Sequence, residues 1–364
     1  LLRMRLAIIM AGGSGERFWP VSRRAYPKQL LRLTDNDSLL SKSLERASHL
    51  VGADRVYIVT NQGLQKAISD EFPSLRPEQV IGEPLAKNTS ACLALALARA
   101  MKVDPDPTLA VLTADHIINP SQAFYSNVNT AFEIAERKAA LVIFGIPPWE
   151  PNTGYGYMEI GDEVASKAGG RVFRVRSFKE KPDLETAKEY LASGRFFWNS
   201  GMFCWKASTL LKAFHEYCPV FGKGTEAMRK CLGSKNEATT IKGVFEGFPS
   251  LPIDVAVMEK ASNVYCVRAD FQWDDIGTWT SLERSQRRDE QGNVAVGDVT
   301  SLDSHGCILW QDKARSAPRV VSFGVHDLVI VATPEAVLVC PKSLAQDVKK
   351  VVKHLKEKGL DDLT

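Results

Sequence analysis

No stretch of this 364-residue chain approaches the roughly 20 consecutive apolar residues a membrane helix needs, so the sequence offers no transmembrane segment. Charge of one sign is missing too. Lys and Arg number 46 against 43 Asp and Glu, and a net charge of +3 argues for neither nucleic acid nor an anionic membrane as partner. Cysteine is sparse and unpatterned: the seven, at 92, 204, 218, 231, 266, 307 and 340, form no C-x-x-C. That speaks against a zinc site and a disulfide framework and for a reducing compartment. Two arginines fall within Leu1–Arg5, but the apolar segment behind them stops at glycines, too early for a signal peptide. The expected location is cytoplasmic. Low-complexity tracts and long-period repeats are also lacking. What remains, 45% hydrophobic and 24% charged, suits a globular protein with one large domain and a small one.

Within that composition, short apolar runs alternate with helical patterns. Strands are expected at Leu6–Met10, Val56–Thr60, Leu109–Leu112 and Leu141–Phe144, and helices at Leu39–His49, Leu64–Glu71, Thr89–Met101 and Gln122–Lys138. This order implies an α/β protein with a Rossmann-like, mostly parallel sheet flanked by helices, in which ligands sit at the carboxyl ends of strands. A polar stretch around Arg284–Gly292 marks a change, and the division expected is 1–284 and 285–364. Beyond it, Asn293–Val339 reads as short β segments with Gly297, Gly306 and Gly324 at turns. The tail Ser343–Lys358 reads as an amphipathic helix with Val348, Val351, Val352 and Leu355 on one face.

The first strand runs into Ala11, Gly12, Gly13, Ser14 and Gly15, followed by Arg17 and then Pro27-Lys28. Glycines allow positive φ and let a ligand reach main-chain N–H groups, and two nearby cations suit a polyphosphate. The pattern is not a P-loop, because no Lys-Ser or Lys-Thr follows the glycines, and Phe18 stands where G-x-G-x-x-G needs its third glycine. A lone loop of this kind would read as a tight turn with incidental basic residues. Its extension through Arg17, Pro20 and Pro27-Lys28 changes that reading.

Together these residues resemble the signature of the sugar-1-phosphate nucleotidyltransferases, G-G-x-G-x-R-(L/F)-x-P-x-(T/S)-(6)-P-K. Within that family, Phe18-Trp-Pro-Val-Ser-Arg and Pro27-Lys-Gln look most like the mannose-1-phosphate guanylyltransferases. The resemblance runs from Gly12 to Trp279 and weakly beyond. It implies transfer of GMP from GTP to α-D-mannose 1-phosphate, giving GDP-mannose and pyrophosphate, by in-line attack of the sugar phosphate with Mg²⁺ assisting. It also implies a small left-handed β-helix-like C-terminal domain ending in a helix, of a kind that commonly mediates homo-oligomer assembly. Some bacterial relatives carry a fused cupin-type isomerase, for which this chain leaves no room.

On this reading Arg17 and the Gly12–Gly15 amides hold the triphosphate, Lys28 stabilises the α-phosphate and leaving group, Lys181 neutralises the sugar phosphate, and backbone groups near Ala11 or Pro84 assist in reading the base. Asp115 in Thr113-Ala-Asp-His follows a strand, where a carboxylate can hold Mg²⁺ or simply cap the next helix. The resemblance assigns Asp275 of Trp273-Asp-Asp-Ile-Gly as its partner in binding the metal, with the neighbouring Asp274 left open. Glu83 and Pro84, with Asn88 and Thr89, border the base. By chemistry Glu83 is the natural acceptor for guanine N1–H and N2–H₂, although it could merely shape the turn before Pro84. Asn88 or Thr89 would cap the following helix. Lys87 stands where the commoner family form has Arg. Gly156, Glu180 in Phe178-Lys-Glu-Lys-Pro, and Asn199 in Trp198-Asn-Ser-Gly match the sugar-side elements. Two other functions are kept open: a related nucleotidyltransferase using another sugar phosphate or NTP, and a silent nucleotide-sugar-binding regulatory subunit. The second is disfavoured because Lys28, Asp115 and Asp275 are all present.

Overall fold

The computed structural model describes residues 4–13, 15–24, 26–33 and 37–364. These residues cluster into two compact units that interleave along the chain: 1–12, 43–114 and 118–273 in one, and 13–42, 115–117 and 274–364 in the other.

The first unit is built on a nine-stranded sheet. In chain order its strands are β1 (Arg5–Met10), β2 (Val56–Asn61), β3 (Val80–Glu83), β4 (Thr108–Thr113), β6 (Leu141–Ile146), β7 (Tyr157–Val164), β8 (Val172–Lys179), β9 (Phe196–Lys206) and β10 (Val264–Arg268); a short β5 (Ile117–Asn119) lies outside it. The order across the sheet is β3-β2-β1-β4-β9-β6-β10-β8-β7. Strands β3, β2, β1 and β4 are parallel neighbours, as are β6 and β10. Strand β9 is antiparallel to both β4 and β6, so the sheet is mixed, with its parallel part where the first three expected strands lie.

Leu6, Ala7, Ile8 and Ile9 are all buried, which is why β1 reads as an unbroken apolar run rather than an alternating one. The helix Asn88–Val103 packs on β1, β2 and β3 and on the helix Pro219–Cys231. Its alanines let backbones approach closely, and every residue from Ser90 to Ala98 is buried. Its expected caps are corrected by the structure. Asn88 takes a left-handed φ of 68° and its side chain accepts from the adjacent Thr89 N–H, while the Thr89 hydroxyl accepts from Ile253 N–H. Neither makes the expected N-cap bond: Asn88 is spent on its own neighbour, and a tertiary partner claims Thr89.

The second unit gathers the segment 13–42 and the C-terminal part around one apolar cluster. Phe18, Trp19, Val21, Leu31 and Leu33 share it with Ile276, Trp279, Val294, Ile308, Trp310, Val329 and Val352. After a short β11 (Gln272–Asp274) come β12 (Val294–Val296), β13 (Val299–Leu302), β14 (Ile308–Gln311), β15 (Val320–Phe323), β16 (Leu328–Ala332) and β17 (Val337–Pro341). Val294, Ile308 and Val329 stack in parallel register through β12, β14 and β16, while Val299 of β13 pairs with Val320 of β15. This is the β-helix-like domain expected, and Gly297, Gly306 and Gly324 turn its corners at φ of 91°, 61° and 65°.

The tail begins differently from the expected helix. Lys342–Asp347 is 3₁₀, and the α-helix proper runs Lys349–Glu357. Ala345 and Val348 are both buried, and their three-residue spacing suits the 3₁₀ repeat. Among the described residues no helix is long and apolar enough to cross a membrane.

Candidate active site

In the second unit a cavity of about 410 Å³ is lined by Gly13, Gly15, Glu16, Arg17, Phe18, Lys28, Asp115, His116, Asp275, Gly277 and Lys349. Five of the residues expected around a triphosphate and a metal therefore converge with Gly13: Gly15, Arg17, Lys28, Asp115 and Asp275. Ser14 lies outside the described residues. Gly13 has open space where a Cβ would stand, leaving its backbone accessible to a ligand. Gly15 is needed for a different reason: its φ is +65°, and a Cβ there would sit 2.3 Å from the Cβ of Lys28. The turn thus brings Lys28 against the loop.

Lys28 is nearly buried. Its ammonium donates to Asp115 Oδ2 at 2.7 Å and to the Asp275 carbonyl at 2.8 Å. Burial alone would raise the Asp115 carboxyl, but the charge of Lys28, that of His116 and the hydrogen bond from Lys28 outweigh it and hold the group below its usual value. The carboxylate is ionised at neutral pH. Asp274, left open by sequence, is locked by Arg284: the guanidinium donates to both its carboxylate oxygens, and Asp274 Oδ1 also accepts from Ile276 N–H. Asp275 is the one that lines the cavity. Ile276 is held at φ 42°, an unfavourable conformation for a β-branched residue, which presents Asp275 on a constrained turn. Arg17 is exposed and, among the described residues, has no carboxylate partner.

The remaining expected residues lie in the first unit, in two groups. In one, Gly12 stands beside Glu83, whose Oε2 is 3.4 Å from a Cβ placed on that glycine. Glu83 is 8% exposed, and burial pushes its carboxyl up to about 8. Ala11 is committed to the scaffold, donating to Val59 O and accepting from the Thr60 hydroxyl. Pro84 and Asn88 follow on the loop and helix start, and Lys87 donates to Phe248 O.

In the other group, Asn199 N–H donates to Gly156 O at 2.8 Å, and any side chain on Gly156 would meet Glu180 Oε2. Lys181, at φ 46°, pairs with Glu180 at 3.2 Å. Asn199 Nδ2 donates to Asp254 Oδ1 at 2.8 Å. Burial and the nearby charge of Glu180 lift the Asp254 carboxyl to about 6 despite Asn199 and Lys181. Asp254 escaped the sequence reading, as did His116 and Lys349. It stands at the start of a five-residue π-helical turn, a local irregularity that no periodicity signals. The Thr89–Ile253 hydrogen bond ties this turn to the helix start after Glu83.

A cavity with glycine backbone, the cations Arg17, Lys28 and Lys349, and the carboxylates of Glu16, Asp115 and Asp275 is chemically suited to a polyphosphate with a divalent cation, while the first unit holds buried acids suited to hydroxyls and base N–H groups. The nucleotidyl transferase family model matches residues 6–292. The chain belongs to the nucleotidyl transferase family. A second model, described as a mannose-phosphate isomerase/GMP-like β-helix domain, matches residues 297–355. Among relatives of this family member is the mannose-1-phosphate guanylyltransferase of Klebsiella pneumoniae, 37% identical over 97% of this chain and 74% of that protein. The xanthan biosynthesis protein XanB of Xanthomonas campestris is 37% identical over 99% of this chain and 75% of its own length. A crystal structure described as mannose-1-phosphate geranyltransferase from Thermus thermophilus superposes with a TM-score of 0.84 at 34% identity, covering 97% of this chain and 99% of that one.

Proposed function

We propose that this nucleotidyl transferase joins GTP to α-D-mannose 1-phosphate, releasing pyrophosphate and forming GDP-mannose. The observation carrying the proposal is the convergence of Gly13, Gly15, Arg17, Lys28, Asp115 and Asp275 on one cavity, in a chain 37% identical to a mannose-1-phosphate guanylyltransferase along 97% of its length. The division 1–284 and 285–364 is kept as our proposed sequence boundary, supported by family matches ending at 292 and starting at 297.

The nucleophile, an oxygen of the sugar phosphate, is already an anion, so no activating base is required. An in-line displacement needs positioning and screening of charge instead. Arg17 and the glycine amides hold the triphosphate. Lys28, anchored on Asp115 and the Asp275 carbonyl, meets charge that develops as the α-phosphorus bond to pyrophosphate breaks. Lys181 holds the incoming phosphate. Glu83 reads guanine, while Glu180, Asn199 and Asp254 contact the hexose hydroxyls.

The donor set also fits Mg²⁺. Among the described residues no three His, Cys, Asp or Glu cluster to form a protein-only metal cage. Two aspartates on one cavity, Asp115 and Asp275, completed by phosphate oxygens and water, are what Mg²⁺ takes in nucleotide sites. Asp115 and Asp275 would hold it, and when bound it would neutralise phosphate charge. Incubating the purified chain with GTP, mannose 1-phosphate and Mg²⁺ should release pyrophosphate, and EDTA should stop it. Faster release with another NTP or another sugar 1-phosphate would move the assignment to that pair, and release with none would leave the regulatory reading.

A further inference from the structure

Lys349 opens the tail helix and lines the same cavity as Arg17, Lys28, Asp115 and Asp275. The other lysines of that helix are occupied: Lys350 pairs with Asp347 at 2.9 Å, Lys353 with Glu357 at 3.8 Å, and Lys356 with Glu16 at 2.9 Å. Lys349 pairs with no acidic group among the described residues. An exposed ammonium left without a carboxylate, on a helix rich in such pairs and aimed at a cavity with another unpaired cation, is what an absent anion would complete.

The tail is also fastened to the glycine-loop segment within this unit. Trp19 Nε1 donates to Leu363 O at 2.7 Å and Arg24 N–H to Thr364 O at 3.3 Å. Lys356 meanwhile neutralises Glu16, the acidic residue that would repel a phosphate from the loop. These bonds hold the tail helix against the segment that carries Arg17, and Lys349 and Arg17 line the same cavity.

We propose that Lys349 is a triphosphate-binding residue, gripping the β- and γ-phosphates together with Arg17, so that the C-terminal β domain supplies part of the active site. This deepens the guanylyltransferase reading and rests on it. Because the contact exists equally with bound substrate and in the transition state, its loss should appear in KM for GTP rather than in kcat.

The test compares Lys349→Met, Lys349→Arg and Lys350→Met, each in the intact 364-residue chain. The last removes the same charge from the same helix turn outside the cavity. In calorimetric titration with inorganic tripolyphosphate, Lys349→Met should weaken binding about tenfold, Lys350→Met less than about twofold, and Lys349→Arg should retain it. In turnover, Lys349→Met should raise KM for GTP by a similar factor and leave KM for mannose 1-phosphate unchanged. Equal weakening by Lys349→Met and Lys350→Met would reduce the effect to long-range charge and overturn the proposal, as would unaltered affinity in Lys349→Met. Should the wild type release no pyrophosphate from GTP and mannose 1-phosphate, the functional reading fails, while the tripolyphosphate titration still decides Lys349.

Discussion

The phosphate-side cavity and the base-and-sugar groups handle charge in opposite ways. Around the cavity the cations are exposed or fixed on a carboxylate that remains ionised: Arg17 and Lys349 lack acidic partners among the described residues, and Lys28 holds Asp115 low. Among the base and sugar residues the notable groups are buried acids whose ionisation is suppressed, Glu83 to about 8 and Asp254 to about 6. The contrast follows from the ligands each would meet. Phosphates bring permanent charge and need opposing charge in place. Bases and hydroxyls bring neutral N–H and O–H groups, which a desolvated carboxyl can select by hydrogen bonding, at the cost of its own ionisation when empty.

The strongest challenge to this contrast is Asp275→Asn. If Asp115 and Asp275 hold Mg²⁺ in the cavity, kcat should fall on the order of 10³-fold with the fold intact, as judged by circular dichroism. Asp274→Asn should instead lower stability, because it weakens the Arg284 lock, and should cost less activity. Comparable turnover losses in both would mean that the two aspartates are not divided between site and scaffold.

Next in size is Lys28→Met, expected to lower kcat roughly 10²-fold. It also leaves Asp115 without its ion pair, so the Asp115 carboxyl should rise from its depressed value and the pH–rate profile should shift its acidic limb upward. A raised KM for GTP with unchanged kcat would recast Lys28 as a plain binding group.

Glu83→Gln probes the other side. It should narrow the GTP-to-ATP ratio of kcat/KM by about tenfold, since the amide keeps one acceptor but loses the anion. Guanine donors favour the carboxylate, so KM for GTP in the wild type should fall as pH rises toward about 8 and then level. Stability runs the other way. The folded group titrates above its unfolded value, so the folded protein binds the extra proton, and stability is lost as pH climbs from the ordinary carboxyl range through about 8. Glu83→Gln should therefore raise Tm more at pH 9 than at pH 5, and equal Tm changes at both would place Glu83 in a wetter setting than described.

Asp254→Asn should have a smaller effect, about tenfold on KM for mannose 1-phosphate with KM for GTP unchanged. The least is expected of Gly13→Ala, whose Cβ meets nothing: stability should move by less than about 0.5 kcal/mol. Gly15→Ala, two residues away, should fail to fold stably because the Cβ would strike Lys28.

How far the site could be seen in advance depended on range in the chain. The glycine turn, the cations at 17 and 28, and the aspartate two residues beyond β4 announce themselves through local spacing and strand ends. Asp254 and Lys349 carry no such mark. One sits in a π turn and becomes notable through Asn199, 55 positions away; the other reaches the cavity from a helix that reads, on its own, as a solvated amphipathic surface. The role of Asp274, left open beside Asp275, likewise waited on Arg284.

By itself the sequence determined what nearest-neighbour physics controls: buried strands from unbroken apolar runs, turns from glycines that alone tolerate positive φ, and a family-specific order of polar residues. The tertiary structure decided the charge state of Asp115, which lysine of the tail faces the cavity, and that Phe18, Trp19, Val21, Leu31 and Leu33 share an apolar core with the C-terminal β domain. Those properties depend on burial and on partners tens to hundreds of residues apart, and burial exists only once the chain has folded.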